Sequence, residues 1–482
     1  MDLLGNMLGT IAAVGAGMRY LANARMRYLA NAIHPNSQQE VTFSSDFESG
    51  SIGVVRRLKS PELAYELSLR DDNNNPLLPA SWRTWWYVRL DGVPTDHPVR
   101  LEFTRLGFPN YFVPVYSYDN KNWMRFLEDE VRMSERRNQQ TLPTCRLAIT
   151  KQFTEPTVWI ARTFPYTTQD LSKFINSIKT SRFVKVSVIG ETSSQKLPIR
   201  KITISDDASS SADGGYQKTI FINARTHPAE TGSSFLLEGL INTILSDTDL
   251  GRTLRKNFVF VISPMQHVDG VVLGNYRTNA NGVNLEAAWR FNRQSAVPVP
   301  LENHVPHENK VVGDEMWRLQ LNQNQPVILA LNLHSSNSSV NDPAFFYPHF
   351  GAGDQYTERE RNLWATQTNF MRQVDLNYEG PIQAPQEGGR SFLTSYFPET
   401  WWWHNQKDRV NAITLETVYG KAGLGYWITP EDYRKLGKAV AAAIGGGNSG
   451  PAAHSRSKRS SMLAWITCKG VFNGPGREAV LA

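Results

Sequence analysis

The stretch TIFINARTHPAETGSSFLLEGLINTIL, from Thr219 to Leu245, decides how the second half of this chain folds. It begins with TIFIN, a short apolar run that predicts a buried β-strand. It ends with Gly232–Leu245, whose apolar periodicity predicts a helix. Between these two segments lies the polar turn ARTHPAET. A strand that leads through a polar turn into a helix is the building unit of α/β folds.

The same alternation continues along the chain to residue 444. Further apolar or alternating runs predict strands at Phe183–Ile189, Ile199–Ile204, Phe258–Ser263, Val327–Leu333 and Val410–Glu416, and amphipathic runs predict helices at Thr168–Ser177, Gly313–Asn322, Thr357–Gln373 and Pro430–Ile444. We therefore predict an α/β domain over residues 168–445, built on a mixed sheet of the eight-stranded type with helices on both faces.

The segment before this domain has a different pattern of hydrophobic residues. Short aromatic or alternating runs, separated by turn residues such as those of Asp71–Pro76, predict strands at Trp85–Leu90, Val99–Phe103, Phe112–Tyr118, Leu147–Phe153 and Val158–Phe164. Several short strands at this spacing are typical of an antiparallel β-sandwich. We assign that sandwich to residues 39–167.

The two ends of the chain lie outside both units. Residues 1–38 contain a near-tandem repeat, MRYLANAR followed by MRYLANAI, and hold few acidic residues. This composition is compatible with an organelle presequence or with a simple surface extension. Residues 446–482 begin with GGNSGPAAHSRSKRSS, whose composition predicts a flexible tail.

Composition excludes several classes of protein. The 482 residues are 40% hydrophobic and include 13 Trp, which predicts a folded protein with a large core. The apolar runs are strand-sized, so we expect no membrane span. The formal net charge is +6 but the basic residues are scattered, so we expect no nucleic-acid partner. Two cysteines 323 positions apart exclude a disulfide framework and indicate a reducing compartment such as the cytoplasm.

Three potential metal ligands follow predicted strands of the α/β domain. His227 and Glu230 stand three apart in the turn after TIFIN, and His334 follows the strand Val327–Leu333. Sites in open α/β sheets form at the carboxyl ends of strands. An H-x-x-E pair alone is weak evidence, because such matches arise by chance. Together, two histidines and one carboxylate predict a site for one Zn²⁺ with a fourth position open to water.

Four motifs occur in an order that resembles a known family. THPAET, GNYRTNANGVNLEAAW, NLHSSNS and ITLET are similar to the motifs of zinc metallocarboxypeptidases, and specifically of the cytosolic carboxypeptidase-like branch. The resemblance spans about residues 43–444. It implies a β-sandwich before the catalytic domain, which agrees with our division of the chain, and it implies that the zinc ligands are His227, Glu230 and His334.

The resemblance also implies two catalytic residues. Arg277, in GNYR, matches the arginine that polarises the scissile carbonyl and stabilises the oxyanion. Glu416, in ITLET, matches the general base that takes a proton from the attacking water and later delivers it to the leaving amine. A surface arginine and a carboxylate with no catalytic role are the alternative interpretations of these two residues.

One stretch departs from the family pattern. Where relatives have D-L-N-R, this chain has Asn284-Leu285-Glu286-Ala287. The resemblance implies that position 284 orients the first ligand histidine, for which a neutral Asn284 is a weaker partner. It further implies that positions 286 and 287 grip the substrate's terminal carboxylate, which Glu286 would instead repel. Recognition of a free carboxyl terminus is therefore in question.

Cations from other loops could replace the missing arginine. Arg390 is our first candidate, because the glycines before it let its loop approach a ligand, and Arg409 is the second. Arg290 and Lys421 are further candidates. Tyr396 lies near the position of a mobile tyrosine that, by the resemblance, hydrogen-bonds the substrate. The cluster Trp401-Trp402-Trp403 is expected either to line the same pocket or to be buried core.

The sequence thus predicts a zinc-dependent metallocarboxypeptidase that hydrolyses C-terminal residues of peptides or protein tails. The resemblance to a branch that includes deglutamylases suggests acidic residues such as glutamate. Two alternatives stay open. One is a zinc amidohydrolase that does not read a free carboxylate, which Glu286 and Ala287 favour. The other is a non-catalytic zinc-binding protein, against which the retention of Glu416 and Arg277 argues.

Overall fold

A computed structural model describes residues 40–136, 144–206, 217–348, 356–384 and 395–446 of the chain. The predicted N-terminal extension and the tail beyond residue 446 lie outside these ranges. So does Arg390, the first candidate for a replacement cation.

The first part of the described chain consists of short strands. In chain order they are β1 (Thr42–Ser44), β2 (Val55–Arg57), β3 (Ala64–Ser68), β4 (Tyr87–Asp91), β5 (Val99–Thr104), β6 (Val115–Ser117), β7 (Met124–Arg125), β8 (Val131–Arg136), β9 (Thr144–Lys151) and β10 (Thr157–Ala161). They form two five-stranded sheets, in the orders β1-β4-β10-β6-β7 and β2-β3-β5-β9-β8.

The two sheets pack face to face as a β-sandwich. Leu67 and Phe103 of one sheet share a buried apolar cluster with Val88 and Ile160 of the other. Trp86, beside β4, stacks on the ring of Phe103 at a centroid distance of 4.0 Å. The strand pairs are antiparallel, as predicted, with the exception of β3 and β5, which pair in parallel. Period-two alternation gives a strand's buried face but not its direction, so the sequence could not reveal this exception.

The second part of the described chain alternates strands and helices. The strands are β11 (Val184–Glu191), β12 (Pro198–Ile204), β13 (Lys218–Ala224), β14 (Phe258–Ser263), β15 (Val327–Ser336), β16 (Ala344–Tyr347), β17 (Ile382–Gln383) and β18 (Asn411–Val418). The helices are α1 (Thr168–Ile178), α2 (Gly232–Leu245), α3 (Asp249–Asn257), α4 (Val268–Leu273), α5 (His307–Leu321), α6 (Glu358–Asn377), α7 (Pro398–Gln406) and α8 (Pro430–Ile444).

These strands form one eight-stranded mixed sheet, in the order β11-β12-β14-β13-β15-β18-β16-β17. Its central strands β14, β13, β15 and β18 run parallel to one another. The pairs β11–β12, β12–β14 and β16–β18 are antiparallel. The carboxyl ends of the four central strands therefore meet at one edge, which is where functional groups gather in such sheets.

Helices cover both faces of this sheet. Ile220 and Ile222 of β13 pack into a cluster with Leu236 and Leu240 of α2. Their neighbour Phe221 points to the other face and shares a second cluster with residues of α5 and α7, among them Met316, Leu319, Trp401 and Trp402. Burial on both faces explains why the central strands are continuously apolar rather than alternating. The predicted fold class is confirmed.

None of the helices in the described ranges combines the length and apolarity that crossing a bilayer requires.

Candidate metal centre and active site

The turn after β13 carries the first two predicted ligands and is held by a buried arginine. Arg225 adopts a left-handed backbone conformation, with φ of 59°. Its guanidinium donates to the carbonyl oxygen of Pro228 (Nε to O, 3.0 Å) and to Ser234 Oγ (3.0 Å). Because these bonds tie both ends of the turn together, His227 and Glu230 are fixed at the amino end of α2.

The third predicted metal ligand and the predicted general base lie on neighbouring parallel strands. His334 on β15 and Glu416 on β18 are register partners in the parallel pair. The sequence predicted that each strand ends at or before these residues, but β15 continues to Ser336 and β18 to Val418. Both side chains are therefore held by regular strand backbone rather than by loops, which restricts their motion.

The donor atoms of His227, Glu230 and His334 converge. Glu230 Oε1 lies 2.8 Å from His227 Nδ1, and Glu230 Oε2 lies 2.8 Å from His334 Nδ1. The two Nδ1 atoms are 3.2 Å apart. All three side chains are buried, and one ligand atom from each lies within 4.8 Å of the others. The structure thus brings together the three residues that the sequence predicted as metal ligands.

The chemistry of this donor set fits zinc. Two imidazole nitrogens and one carboxylate oxygen are the ligands of many catalytic zinc sites, which leave a fourth position for water or substrate. Both histidines present the same nitrogen, Nδ1, to the shared centre, and their outer Nε2 atoms contact other groups. The residues present could therefore hold one zinc ion.

The local charges favour an anionic Glu230. Burial alone would raise its pKa, but His227 and His334 hold the pKa of Glu230 well below its usual range. For His334, burial opposes the charge, yet Glu286 and Glu230 raise its pKa well above the ordinary value. Burial and Arg277 lower the pKa of His227. These charges favour a protonated His334 in the metal-free site, and because zinc binds neutral imidazole, a zinc ion bound there would replace that proton.

Glu416 faces the same site with an unsatisfied oxygen. Among the described residues its Oε2 is buried and has no hydrogen-bond partner. Burial and the negative charge of Glu230 raise the pKa of Glu416 to about 8. A buried carboxylate oxygen without a protein partner is costly unless water, an ion or a ligand satisfies it. This side chain is therefore arranged to interact with a molecule in the cavity.

A cavity next to the ligands combines aromatic and acidic walls. The residues that line it are Trp82, Phe108, His227, Glu230, Tyr276, Arg277, Glu286, His334, Ser335, Ser336, Asn337, Tyr347, Phe397, Glu399, Thr414 and Glu416. Trp82 and Phe108 come from the β-sandwich unit, so both units of the chain form this cavity. A mixture of aromatic surface and a few convergent polar groups is typical of ligand sites.

Arg277 lies on a loop that the β-sandwich unit supports. The carboxylate of Asp72 accepts hydrogen bonds from the backbone N–H groups of Tyr276 (2.7 Å), Arg277 (2.8 Å) and Thr278 (2.9 Å). Arg277 is buried, lines the cavity and has its guanidinium carbon 5.8 Å from the centre of the Trp82 ring. Residues of the first unit thus fix both the backbone and the side-chain environment of Arg277.

This arrangement predicts that Asp72→Asn destabilises the protein. The amide offers one acceptor oxygen in place of two, so at least one buried N–H group loses its partner, at a cost of about 1–3 kcal/mol. We expect the melting temperature to fall by several degrees in a thermal unfolding experiment. The matched control Asp46→Asn alters an exposed carboxylate and should leave the melting temperature nearly unchanged. Equal melting temperatures for the two variants would contradict this account of Asp72.

Two of the three residues that depart from the family pattern contact the predicted ligand histidines. Asn284 Oδ1 lies 3.0 Å from His227 Nε2, where it can orient the imidazole ring as the resemblance implies. Glu286 was predicted to meet substrate, but its Oε2 lies 3.1 Å from His334 Nε2 and its Oε1 accepts a hydrogen bond from Asn332. Glu286 is therefore already engaged by the protein.

The structure does not support Arg409 as a substrate-binding residue. Arg409 is exposed and precedes the first residue of β18, whereas Glu416 lies five residues into that strand. At about 3.3 Å per residue, the strand alone separates its start from Glu416 by roughly 16 Å. The structure therefore places Arg409 away from the cavity, because an extended strand separates it from Glu416.

The other candidates also lie away from the cavity walls. The Tyr396 ring packs on Phe291 and lies under the guanidinium of Arg293, 3.9 Å from its carbon, and Tyr396 does not line the cavity. Arg290 is exposed near the same ring. Lys421 pairs with Glu128 at 2.7 Å. Trp401 and Trp402 are buried core, so that alternative for the tryptophan cluster is correct.

Sequence reasoning missed Glu399, which lines the cavity at the start of α7. It is buried, and its Oε1 accepts a hydrogen bond from Thr414 Oγ1 at 2.6 Å. Burial and the charge of Glu286 raise the pKa of Glu399 to about 7. A signal was available, because in a helix Glu399 shares a face with Trp402, three residues later, and a tryptophan on that face is expected in the core.

Comparison with known proteins agrees with the family resemblance and with the division into two units. A family model described as zinc carboxypeptidase matches residues 171–439, and one described as cytosolic carboxypeptidase N-terminal domain matches residues 43–162. Cytosolic carboxypeptidase 6 of Caenorhabditis elegans is 30% identical over 267 residues, which are 52% of this chain and 55% of that protein. Cytosolic carboxypeptidase 2 of Xenopus tropicalis is 24% identical over 423 residues, 83% of this chain and 40% of that protein. The chain thus spans about half or less of the length of these curated relatives.

Solved structures share the fold. A metallo-carboxypeptidase from Burkholderia cenocepacia has a TM-score of 0.65 and 22% identity, and the match covers 84% of this chain and 97% of that one. A metallo-carboxypeptidase from Pseudomonas aeruginosa has a TM-score of 0.64 and 19% identity, over 84% of this chain and 98% of that one. Because the zinc carboxypeptidase model matches more than half of its residues, this chain belongs to the zinc carboxypeptidase family.

Proposed function

We propose that this protein is a zinc-dependent metallocarboxypeptidase that hydrolyses the C-terminal amide bond of peptides or protein tails. The observation that carries the proposal is the convergence of His227 Nδ1, a Glu230 oxygen and His334 Nδ1 beside a cavity that Arg277 and Glu416 also line. These residues supply metal ligands, a permanent cation and a carboxylate at one place, which together can catalyse metal-assisted hydrolysis of an amide.

His227, Glu230 and His334 would hold the zinc. When bound, zinc polarises a carbonyl oxygen and lowers the pKa of a water ligand. Glu416 accepts the proton that the attacking water loses and then delivers it to the leaving amine nitrogen. For this role Glu416 must be ionised, and a cation held by the three ligands would lower the pKa that burial raises.

Arg277 stabilises the negative charge that develops on the carbonyl oxygen. Its guanidinium is permanently charged, and its backbone is fixed by Asp72 before substrate arrives. Preorganised charge of this kind is effective because little reorganisation is needed during the reaction. The burial of Arg277 strengthens the effect, since charges interact more strongly in surroundings of lower dielectric constant than water.

The specificity for acidic C-terminal residues is a finer proposal and depends on Arg390. In the described part of the cavity, Arg277 is accompanied by the carboxyl groups of Glu286, Glu399 and Glu416. An acidic side chain or a free terminal carboxylate would be repelled by such a wall without a further cation. We therefore propose that Arg390, which lies outside the described residues, supplies that cation if acidic tails are the substrate.

The acidic wall favours a second candidate function. A zinc amidohydrolase that does not read a terminal carboxylate would need no clamp at positions 286 and 287. Glu286 and Ala287 remove the amide and the cation of the family pattern, and Glu399 adds a further carboxyl group. This candidate keeps the same metal ligands and the same roles for Glu416 and Arg277.

A panel of peptides separates the two candidates. It should contain acidic, basic and apolar C-termini, each as the free acid and as the amide, with release of amino acids or amines followed by mass spectrometry. A carboxypeptidase should cleave the free acids and spare the amides. Arg390→Ala should then raise KM with zinc content unchanged, since a charge-assisted contact contributes about 1.5–3 kcal/mol.

Equal cleavage of free acids and amides, with Arg390→Ala silent, would select the amidohydrolase instead. Zinc binding without turnover of any peptide would favour the non-catalytic alternative. The matched control is Arg409→Ala, which removes an exposed arginine remote from the cavity and should leave KM unchanged.

A cytosolic location is also a proposal. It is supported by the names of the relatives, which are cytosolic carboxypeptidases, and by the low cysteine content of two in 482 residues. Cysteine-rich disulfide frameworks are typical of secreted proteins instead.

A further inference from the structure

The outer nitrogens of the two ligand histidines have different partners. His227 Nε2 lies 3.0 Å from Asn284 Oδ1, a neutral amide oxygen. His334 Nε2 lies 3.1 Å from Glu286 Oε2, a carboxylate oxygen, in an ion-pair contact that falls outside hydrogen-bond geometry. Each histidine turns its Nδ1 toward Glu230, so in both cases the outer nitrogen is the one left for an orienting partner.

The orientation of the Asn284 amide follows from a second contact. The backbone N–H of Glu286 donates to Asn284 Oδ1 at 3.1 Å. Because an N–H donor must meet oxygen rather than the amide nitrogen, this bond fixes which side of the amide faces His227. His227 therefore has a neutral acceptor as its outer partner.

The Glu286 carboxylate is held in place from the opposite side. Asn332 Nδ2 donates to Glu286 Oε1 at 3.0 Å, and the Glu286 side chain is buried. Asn332 precedes His334 by two residues on β15, so both side chains leave the same face of the strand. The strand β15 thus carries both His334 and Asn332, and the Asn332 amide holds the Glu286 carboxylate next to His334.

We propose that Glu286 is a positioning residue that orients His334 and increases the affinity of the site for zinc. A metal-bound histidine commonly donates its outer N–H to a carboxylate, which fixes the ring and increases the basicity of the ligand nitrogen. In the family pattern, an aspartate at the position of Asn284 would provide this carboxylate for the first histidine. In this chain the anionic partner belongs to the second histidine, so the departures at positions 284 and 286 compensate one another.

This inference rests on the proposed zinc site, and it assigns Glu286 a role in metal binding instead of substrate binding. A residue that replaced a substrate clamp would affect KM without changing metal affinity. A residue that orients His334 must affect metal affinity even when no substrate is present. The two roles therefore differ in a measurement that involves no turnover.

The test is the zinc dissociation constant of metal-free protein, measured by competition with a chromophoric chelator at fixed pH. Glu286→Gln is nearly isosteric and should weaken zinc binding by about 10–100-fold. The matched control is Glu399→Gln, which removes another buried carboxyl group from the same cavity; among the described residues Glu399 accepts a hydrogen bond from Thr414 and forms no ion pair with either histidine. Its zinc affinity should equal that of the wild type.

A rescue variant distinguishes positioning from a general loss of structure. Asn284→Asp restores a carboxylate at His227 and should recover most of the zinc affinity that Glu286→Gln loses. Wild-type affinity in Glu286→Gln, an equal loss in Glu399→Gln, or no recovery in the double variant would overturn the inference. Failure of the wild type to bind zinc at all would instead overturn the proposed function.

Discussion

Glu416→Gln should lower kcat by at least about two orders of magnitude and leave the zinc content unchanged. The amide is nearly isosteric with the carboxylate but cannot accept a proton from water near neutral pH. Since Glu416 is not among the three converging ligands, its replacement should not release the metal. The measurement is kcat on the best peptide of the panel, with zinc determined on the same samples.

An exposed glutamate provides the control for Glu416. Glu431 lies at the start of α8 with a side chain 67% exposed, so Glu431→Gln should retain wild-type kcat. Wild-type turnover in Glu416→Gln would mean that another carboxylate accepts the proton. Glu286 and Glu399 line the same cavity and would be the next to replace.

The second large effect is expected from the ligand histidines. His227→Ala or His334→Ala should reduce zinc binding from about one equivalent to a level that does not survive dialysis. Two remaining protein ligands cannot complete the coordination that three provide, and water is a poor replacement for an imidazole. Zinc per chain is measured by elemental analysis after dialysis.

The control for these variants is His304→Ala. His304 is exposed and contacts Glu302 in a loop away from the three ligands, so its loss should leave the zinc content intact. Full zinc content in both His227→Ala and His334→Ala would show that the metal, if present, binds elsewhere.

Much of the catalytic fold could be predicted because its central strands are apolar on both faces. TIFIN and the run Val327–Leu333 have no alternation, which indicates burial between two helix layers, and the polar turn after TIFIN marks the sheet edge. The candidate ligand set was predictable for the same reason: residues that follow parallel strands meet at one edge. The structure brings His227, Glu230 and His334 together as that argument requires.

What could not be predicted depends on contacts between distant parts of the chain. Asp72 accepts hydrogen bonds from residues more than 200 positions away, in another unit. No local pattern around Asp72 signals this role. The contact of Glu286 with His334 likewise joins residues that are 48 positions apart in the sequence. This contact depends on how the loop folds back over β15.

Strand ends were a second source of error. The prediction ended one strand at Leu333 and the other at Glu416, because polar residues follow each apolar run. In the structure the two strands pair from Leu329 with Asn411 to Ser336 with Val418. Backbone pairing continues through the polar residues, since each strand already has its neighbour in register. The distance between Arg409 and Glu416 was also hard to predict, because it depends on where the extended strand β18 begins and ends.

Stepwise addition of zinc to metal-free wild-type protein tests the central claim most directly. Peptide hydrolysis is measured after each addition. The proposed site predicts that the rate rises linearly and reaches its plateau at about one zinc per chain, as expected for one tight site with three protein ligands. A full hydrolysis rate before any zinc is added would contradict this prediction. So would a rate that does not increase in proportion to added zinc up to one equivalent per chain.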